Sequence, residues 1–560
     1  TAFLLFALSA YGIWLYRDPL VAGPSANPTH LTQIPIDLLP RAQHLLRRAR
    51  RYQTVLLKAG VPEERMKGAV DYQRQKEAKH RMALLAQRLA TGMQENNPPR
   101  PVGSEDFPVY EINLPESFPL NLNACRFAFP PPTLGSEEIV KRMGRDTLCV
   151  ILGSTPTQRQ ELVKICKDPT TLLVAADGAT ITQLLLGQDP QGILARLIAQ
   201  QVSVTRVSPY QTKGGVNREA IFYGRTRILA DIMHRAPANY LLAGGRQVGK
   251  SSLLKALYRR YQEDPKVDCR YLSASGNTIL PDLALEIGLE TTASLEQIVE
   301  AILARQEDRR LLFLIDEADE FAHQESTNGF KTLHALRNLS EMGKAHFILA
   351  GFWGLYRLVR GEYQSPIKNF GDVLAIAALE EEASRRLLTE PMQTMNISYT
   401  STALIDEILA KTGQRANLLA ITCSEALKLM DMEQRQLGAE EIYKALDSRS
   451  IREALGGWAE LAGKHDPTGN HHDRMIVYAM AEKEAFSFDD LVARLQHAHA
   501  TWDPQHLHDA LERLELATIL ERQATTYTFR VPLFRAMILE QNPQEMLAQE
   551  IRRNKERVNG

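Results

Sequence analysis

Between Leu241 and Leu257 the chain reads LLAGGRQVGKSSLLKAL, an apolar approach followed by a glycine-rich turn and then Lys-Ser-Ser opening a helical pattern. Gly244 and Gly249 bracket four residues, and Lys250 with Ser251 completes the spacing of a phosphate-binding loop. Small residues let successive backbone N–H groups curl around an anion, and the helix that follows directs its positive dipole end to the same place. The expected cradle is Gly244, Gly245, Arg246, Gln247, Val248, Gly249, Lys250, Ser251 and Ser252. Lys250 is expected to reach the β- and γ-phosphates of ATP, and the Ser251 hydroxyl to ligate Mg2+. The flanks agree, because ANYLLAG reads as a short buried strand and SSLLKALYRRY has apolar residues at helical spacing.

A magnesium-site acid follows downstream. In RRLLFLIDEADEF, five apolar residues from Leu311 to Ile315 run into Asp316 and Glu317. A central strand of a parallel sheet is buried on both faces and has this uniformly apolar look, and ligands bind at the carboxyl ends of such strands. Asp316 is therefore the candidate magnesium ligand and Glu317 the candidate base for the attacking water.

The segment FYGRTRIL, Phe222 to Leu229, resembles the entry motif of the STAND and related AAA+ type P-loop ATPases. The resemblance runs through HFILAGFWGLYRLV, SPIKNFGDVLAIAALEEEASRRLLTEPM and TGQRANLLAITCSEAL to about residue 540. It implies an α/β fold: a P-loop parallel-sheet core, a helical lid and a C-terminal winged helix. It also gives Phe222, Tyr223, Gly224 and Arg225 the seating of adenine. In such enzymes a polar residue usually follows the HFILAG strand, whereas Gly351, Phe352 and Trp353 stand here, so slow turnover is expected. The lid of STAND proteins usually carries Gly-x-Pro, where this chain has GQRAN with Ala416. Arg415 either reads the γ-phosphate from the lid or is a solvated arginine at a helix start. Arg337, Arg357 and Arg360 are candidate arginine fingers for a neighbouring subunit.

With 560 residues the chain is long enough for three or four domains. Its 66 basic residues against 67 acidic ones imply no overall attraction to nucleic acid. Five scattered cysteines without a C-x-x-C pair speak for a reducing compartment and against zinc, and the histidines, His471 and His472 included, read as solvated.

At the amino terminus TAFLLFALSAYGIWLY is uncharged, with Trp14 and Tyr16 where a membrane-interface belt would lie. Its 16 residues fall short of a span, so a truncated membrane helix is expected over 1–20, with the ATPase domain on the cytoplasmic side beside the basic cluster RAQHLLRRARR. VAGPSANPTH reads as a linker that breaks this helix, and 21–100 as a helical stalk. Next come a small α/β domain over 105–205, whose Asp177 reads as a turn residue, and the core over 206–378. The lid covers 379–458 and the winged helix 466–545. The candidate recognition helix, Gln505 to Ala517, carries Asp509, Glu512 and Glu515 against one Arg513, a poor balance for phosphate contact. The expected partners are ATP or ADP, a membrane, and a protein partner or further copies of the chain. Three functions fit: a membrane-tethered switch ATPase whose nucleotide state controls conformation or assembly, a nucleotide-gated scaffold with little turnover, and a DNA-associated ATPase.

Overall fold

In the structure, a computed structural model, residues 14–89, 98–143, 147–165, 172–235, 238–274, 278–305, 309–360, 370–431 and 433–559 are described. The chain divides into two units, one of Thr1–Pro209, Glu390–Ser398 and Met430–Arg435, the other of Tyr210–Thr389, Tyr399–Leu429 and Gln436–Gly560.

In the first unit five strands lie side by side in chain order: β1 (Arg100–Pro101), β2 (Val109–Asn113), β3 (Ala124–Ala128), β4 (Cys149–Ile151) and β5 (Leu173–Ala175). The pairs β1–β2 and β2–β3 are antiparallel, and β3–β4 and β4–β5 are parallel. Asp177 follows β5 and caps helix Gly178–Leu186 by accepting from Thr180 N at 2.7 Å, which makes it a turn residue. The helices Leu39–Arg48, Tyr52–Ala59, Glu63–Arg74 and Ala78–Leu89 do not form the expected stalk. Leu46, Met66, Met82 and Leu85 are fully buried, an apolar stripe that needs a partner surface. That surface includes the helices after β5, where Arg88 donates to the carbonyls of Leu185 and Gly187 and Gln191 donates to that of Leu89.

The membrane anchor expected over 1–20 lies for the most part, as residues 1–13, outside the described residues. Among the described ones no helix is long and apolar enough to cross a membrane. What is described of the segment packs on protein: Leu15 is buried, the Tyr16 hydroxyl donates to Ala49 O at 2.9 Å, and the Arg51 guanidinium lies 5.9 Å from the Tyr16 ring centre. Where a linker was expected, Asp18 accepts from Leu20 N and starts helix Pro19–Ala26.

The second unit contains an entirely parallel sheet of β6 (Tyr240–Ala243), β7 (Val267–Ser273), β8 (Arg310–Asp316), β9 (Ala345–Gly351) and β10 (Asp372–Ala375), in the order β10-β6-β9-β8-β7. Both nucleotide motifs therefore leave from interior strands, which explains their uniformly apolar sequences. Phe313 and Phe347, on neighbouring strands, are fully buried and stack with ring centres 5.5 Å apart. The register places Ala243 opposite Gly351 and Ser273 opposite Asp316, so the phosphate loop, the acid pair and the exit of β9 share one carboxyl edge.

Residues 402–456 supply the helices Thr402–Thr412, Ala416–Leu429, Ala439–Leu446 and Arg449–Gly456. Beyond them, helices Pro467–Met480, Phe488–His497 and Pro504–Leu516 surround an antiparallel sheet of β11 (Ala485–Ser487), β12 (Leu520–Gln523) and β13 (Thr526–Phe529), with β13 central. Helices Pro532–Glu540 and Pro543–Asn559 follow. The helix Pro467–Met480 is buried nearly all round, so His471 and His472 are buried and not solvated as expected. His471 Nδ1 lies 3.0 Å from Glu550 Oε1, an oxygen that also accepts from Arg474 Nη2 at 2.6 Å. Asp473, on the same helix, holds the buried Arg513 guanidinium at 2.7 Å, so the single arginine of helix Pro504–Leu516 faces the interior. Among the described residues no group of His, Cys, Asp and Glu is placed to hold a metal ion.

Glu550 ties the C-terminal helix to Pro467–Met480. Burial alone would raise its pKa, but the bonds from His471 and Arg474 win and hold it at about 2, below its ordinary 4.5. Because the folded value is depressed, the contribution is complete above pH 4.5 and fades as pH falls towards 2. Glu550→Gln is expected to cost about 3 kcal/mol at neutral pH. The gap in denaturation midpoint between variant and parent should close between pH 4.5 and 2. A gap that stays constant with pH would contradict the assignment.

Candidate nucleotide-binding site

Strand β6 ends at Ala243, and the chain turns through Gly244–Gly249 into helix Lys250–Gln262. Gly249 has φ +102° and Gln247 φ +61°, the left-handed turns that fold the loop's N–H groups inward. A side chain on Gly244 would meet the Ile376 carbonyl at 2.7 Å, so glycine is required by the packing of β10's exit. The Lys250 ammonium donates to the carbonyls of Gly244 and Gly245, each at 2.7 Å. An ammonium has three donors, and anchoring two of them fixes where the third points. Burial pushes the Lys250 pKa down, and the negative charges of Asp319, Asp316 and Glu317 oppose that push. The predicted cradle residue Ser252 has a different use. Its Oγ accepts from Val216 N at 3.0 Å, and Gly215 lies so close that an added Cβ would stand 3.0 Å from that of Ser251.

On the neighbouring strands Asp316 is buried, with its two oxygens held apart: Oδ2 accepts from the Tyr271 hydroxyl at 2.9 Å and Oδ1 from Glu317 N at 3.0 Å. Tyr271 comes from β7 and escaped the sequence reading, since one polar-tipped aromatic residue in a strand looks like core. Its pKa is raised, by burial first and by the Asp316 charge second. Glu317 takes φ +56°, a conformation disfavoured for a residue with a side chain, and is exposed at the strand end. Ser273 Oγ donates to its carboxylate at 3.5 Å.

Of the four entry residues, Arg225 is the most constrained. It is buried at φ +60°, and its guanidinium donates to the carbonyls of Val248, Ala377 and Ala378. Its backbone N–H meets the Glu380 carboxylate at 3.2 Å. Burial lowers its pKa. This arginine therefore pins the phosphate loop to the chain beyond β10. Gly224 has φ +75° and lies where a Cβ would stand 2.4 Å from Glu380, so no larger residue fits. Tyr223 lies under Arg386, 5.5 Å from ring centre to guanidinium, and Phe222 packs half-buried against the β6 side of the core.

From the 402–456 helices, Arg415 donates to Arg246 O at 3.2 Å and Asn417 to Gln247 Oε1 at 2.6 Å, so GQRAN lies directly on the phosphate loop. Arg415 is half-buried, burial lowers its pKa to about 10, and its Nε has no partner among the described residues. Arg337 pairs with Glu341 on its own helix at 2.8 Å, Arg357 is exposed, and the Arg360 side chain lies outside the described residues.

A second surface meets the same loop. Gly245 N–H donates to Leu516 O at 3.1 Å, and a Cβ on Gly245 would stand 2.8 Å from the Cα of Ala517. Phe352 and Trp353 join the buried core of the C-terminal helices, with the Arg513 guanidinium 4.7 Å over the Trp353 ring. Tyr356 donates to Glu512 at 2.8 Å, and Glu320 meets Lys464 at 3.2 Å and His465 at 3.3 Å. The apolar residues after β9 are explained by this contact: they are packing residues.

The donor set fits a magnesium–nucleotide complex. A left-handed glycine loop, one directed ammonium and hard oxygen donors on Ser251 and Asp316 are what a triphosphate and Mg2+ require. The family described as an AAA domain matches residues 234–359. Among solved structures, the Walker-type ATPase PABY2304 of Pyrococcus abyssi is similar at 18% identity and TM-score 0.45, covering 59% of this chain and 99% of that one. The ORC2 protein of Aeropyrum pernix, in complexes with ADPNP and ADP, is similar at 14% identity and TM-score 0.32, covering 58% and 92%. The RuvB Holliday junction branch migration motor of Thermotoga maritima is similar at 13% identity and TM-score 0.30, covering 55% and 92%. No curated protein matches the chain. Residues 234–359 are thus similar to an AAA domain, and they run through a parallel α/β sheet.

Arg225→Ala leaves the carbonyls of Val248, Ala377 and Ala378 without this donor. The variant is expected to lose about 3 kcal/mol of stability and to bind nucleotide more weakly. Arg225→Lys should recover little, because one ammonium cannot reproduce the planar fork. Thermal melting and nucleotide titration of the three proteins check this, and an Arg225→Ala protein as stable as the parent would remove the pin.

Proposed function

We propose that this protein is an ATP-binding and ATP-hydrolysing switch of the AAA+/STAND type, in which residues 402–456 act as lid and the C-terminal domain as a winged helix. Nucleotide state decides whether that domain stays seated on the core. The observation that carries the reading is the bond from Gly245 N–H to Leu516 O, which joins the phosphate loop itself to the C-terminal domain. The lid contacts of Arg415 and Asn417 with the same loop support it.

For the chemistry, Lys250 neutralises charge on the phosphates from a fixed direction. Ser251 and Asp316 would hold magnesium, which supplies further charge neutralisation when bound. Glu317, turned outward by its left-handed backbone, is the group to accept a proton from the attacking water. Turnover is slow, since no polar side chain follows β9 to help orient that water. A tightly binding scaffold with little turnover is the second reading, and Phe352 and Trp353, given over to packing, favour it. A nucleic-acid role is disfavoured by helix Pro504–Leu516, whose Asp509, Glu512 and Glu515 stand against an arginine buried on Asp473.

Lys250→Ala is expected to abolish nucleotide binding in a titration. Glu317→Gln should keep binding and lose about 10²- to 10⁴-fold in turnover; turnover at the parental rate would exclude Glu317 as base. Tryptic cleavage at Lys464, which pairs with Glu320 while the domain is seated, should be faster in Glu317→Gln protein with ATP than with ADP. Equal rates would reject the switch in favour of the scaffold.

A further inference from the structure

We propose that Asp319 carries the γ-phosphate signal out of the nucleotide site, by clamping the helix after β9 while Lys250 lacks a γ-phosphate and loosening that clamp when one arrives. The inference rests on the switch reading above and names its sensing residue. Asp319 opens helix Asp319–Thr327, three residues beyond Asp316. Its Oδ2 accepts from Phe352 N at 2.7 Å and its Oδ1 from Leu355 N at 3.1 Å, two amides at the start of helix Trp353–Arg360. The approach is close: side chains on Gly351 and Gly354 would stand 3.2 Å and 3.1 Å from the same carboxylate.

From there the links to the phosphate site are short. Gly351 O accepts from Gly244 N at 3.2 Å, and Gly244 O accepts from the Lys250 ammonium at 2.7 Å. Of the carboxylates that hold the Lys250 pKa up against burial, Asp319 acts most strongly, ahead of Asp316 and Glu317. A γ-phosphate at Lys250 adds negative charge at the ammonium on which the Asp319 charge already acts, and like charges repel. Asp319 then withdraws, which weakens the two charge-assisted bonds of the clamp. ADP brings no charge to that position.

The helix so released seats the C-terminal domain. Phe352 lies in that domain's core, Trp353 lies under Arg513, and Tyr356 donates to Glu512. Charge at the γ-phosphate position is thereby converted into a looser seat about one helical turn away.

The full chain, as parent, Asp319→Asn and Asp319→Ala, is tested with magnesium and either ADP or a non-hydrolysable ATP analogue. Hydrogen exchange of the Phe352 and Leu355 amides is followed by mass spectrometry, and both nucleotide affinities by calorimetry. Parental amides should exchange at least tenfold faster with the analogue than with ADP. Asp319→Asn drops the charge and leaves one acceptor oxygen for two amides, so its amides should exchange fast with both nucleotides, and its affinity for the analogue relative to ADP should rise at least tenfold. Asp319→Ala should be fast with both. An Asp319→Asn protein that keeps the parental nucleotide dependence makes Asp319 a helix cap only and overturns the inference. So does a parent whose Lys464 cleavage responds to nucleotide while these amides do not. A parent unresponsive in both readouts overturns the switch reading as well.

Discussion

The Lys250 ammonium must stay charged although the fold strips it of much of its water, and much of the second unit's architecture answers that constraint. Desolvation of a cation is expensive unless fixed partners replace the lost water. Two loop carbonyls do so directly, and Asp319, Asp316 and Glu317 supply counter-charge. A five-stranded parallel sheet brings these groups together because its strands end on one edge, with β6 and β8 separated only by β9. The left-handed backbone at Gln247 and Glu317 is strain held by that arrangement. It is tolerated because the apolar packing beneath, Phe313 on Phe347 included, leaves the edge no room to relax.

What was legible in the sequence is what local chemistry dictates. Glycine spacing, a lysine and serine at fixed offsets, and an apolar strand ending in two acids each encode their surroundings within a dozen residues, and β6, the loop, helix Lys250–Gln262 and β8 lie where that reading puts them. Contacts between distant segments were not legible. Arg225 reaches Ala377 and Ala378, Tyr271 reaches Asp316, and Val216 reaches Ser252, and nothing in the local pattern names those partners. The Gly-Gly at 214–215 was the one available signal that the chain entering the core passes close to something, and it reads equally well as a linker. His471 and His472 were misjudged for a related reason. Polar residues on a helix look solvated until a second helix supplies Glu550, and the stalk helices likewise could not announce the surface they cover.

The departures from the pattern of the ATPases that the sequence resembles are the places where two demands compete for one position. After β9, a polar residue would serve the reacting water, but an apolar pair serves the C-terminal domain, and the chain has Phe352 and Trp353. Their backbone is nonetheless held by a carboxylate from the nucleotide edge, so the segment belongs to both surfaces at once. The same holds for the phosphate loop, which meets Arg415 and Asn417 on one side and Leu516 and Ala517 on another. A loop gripped this way cannot change shape around an anion without altering at least one of those contacts. Because a packed interior responds to such a change by switching arrangement and hardly by gradual deformation, these contacts give the proposed switch a route through packing from phosphate occupancy to the seating of the C-terminal domain. That coupling requires no dedicated hinge, only that the contacting residues be small enough to come close. Gly245 against Ala517 and Gly351 against Asp319 meet that requirement, and a side chain on either glycine would separate the surfaces it now joins.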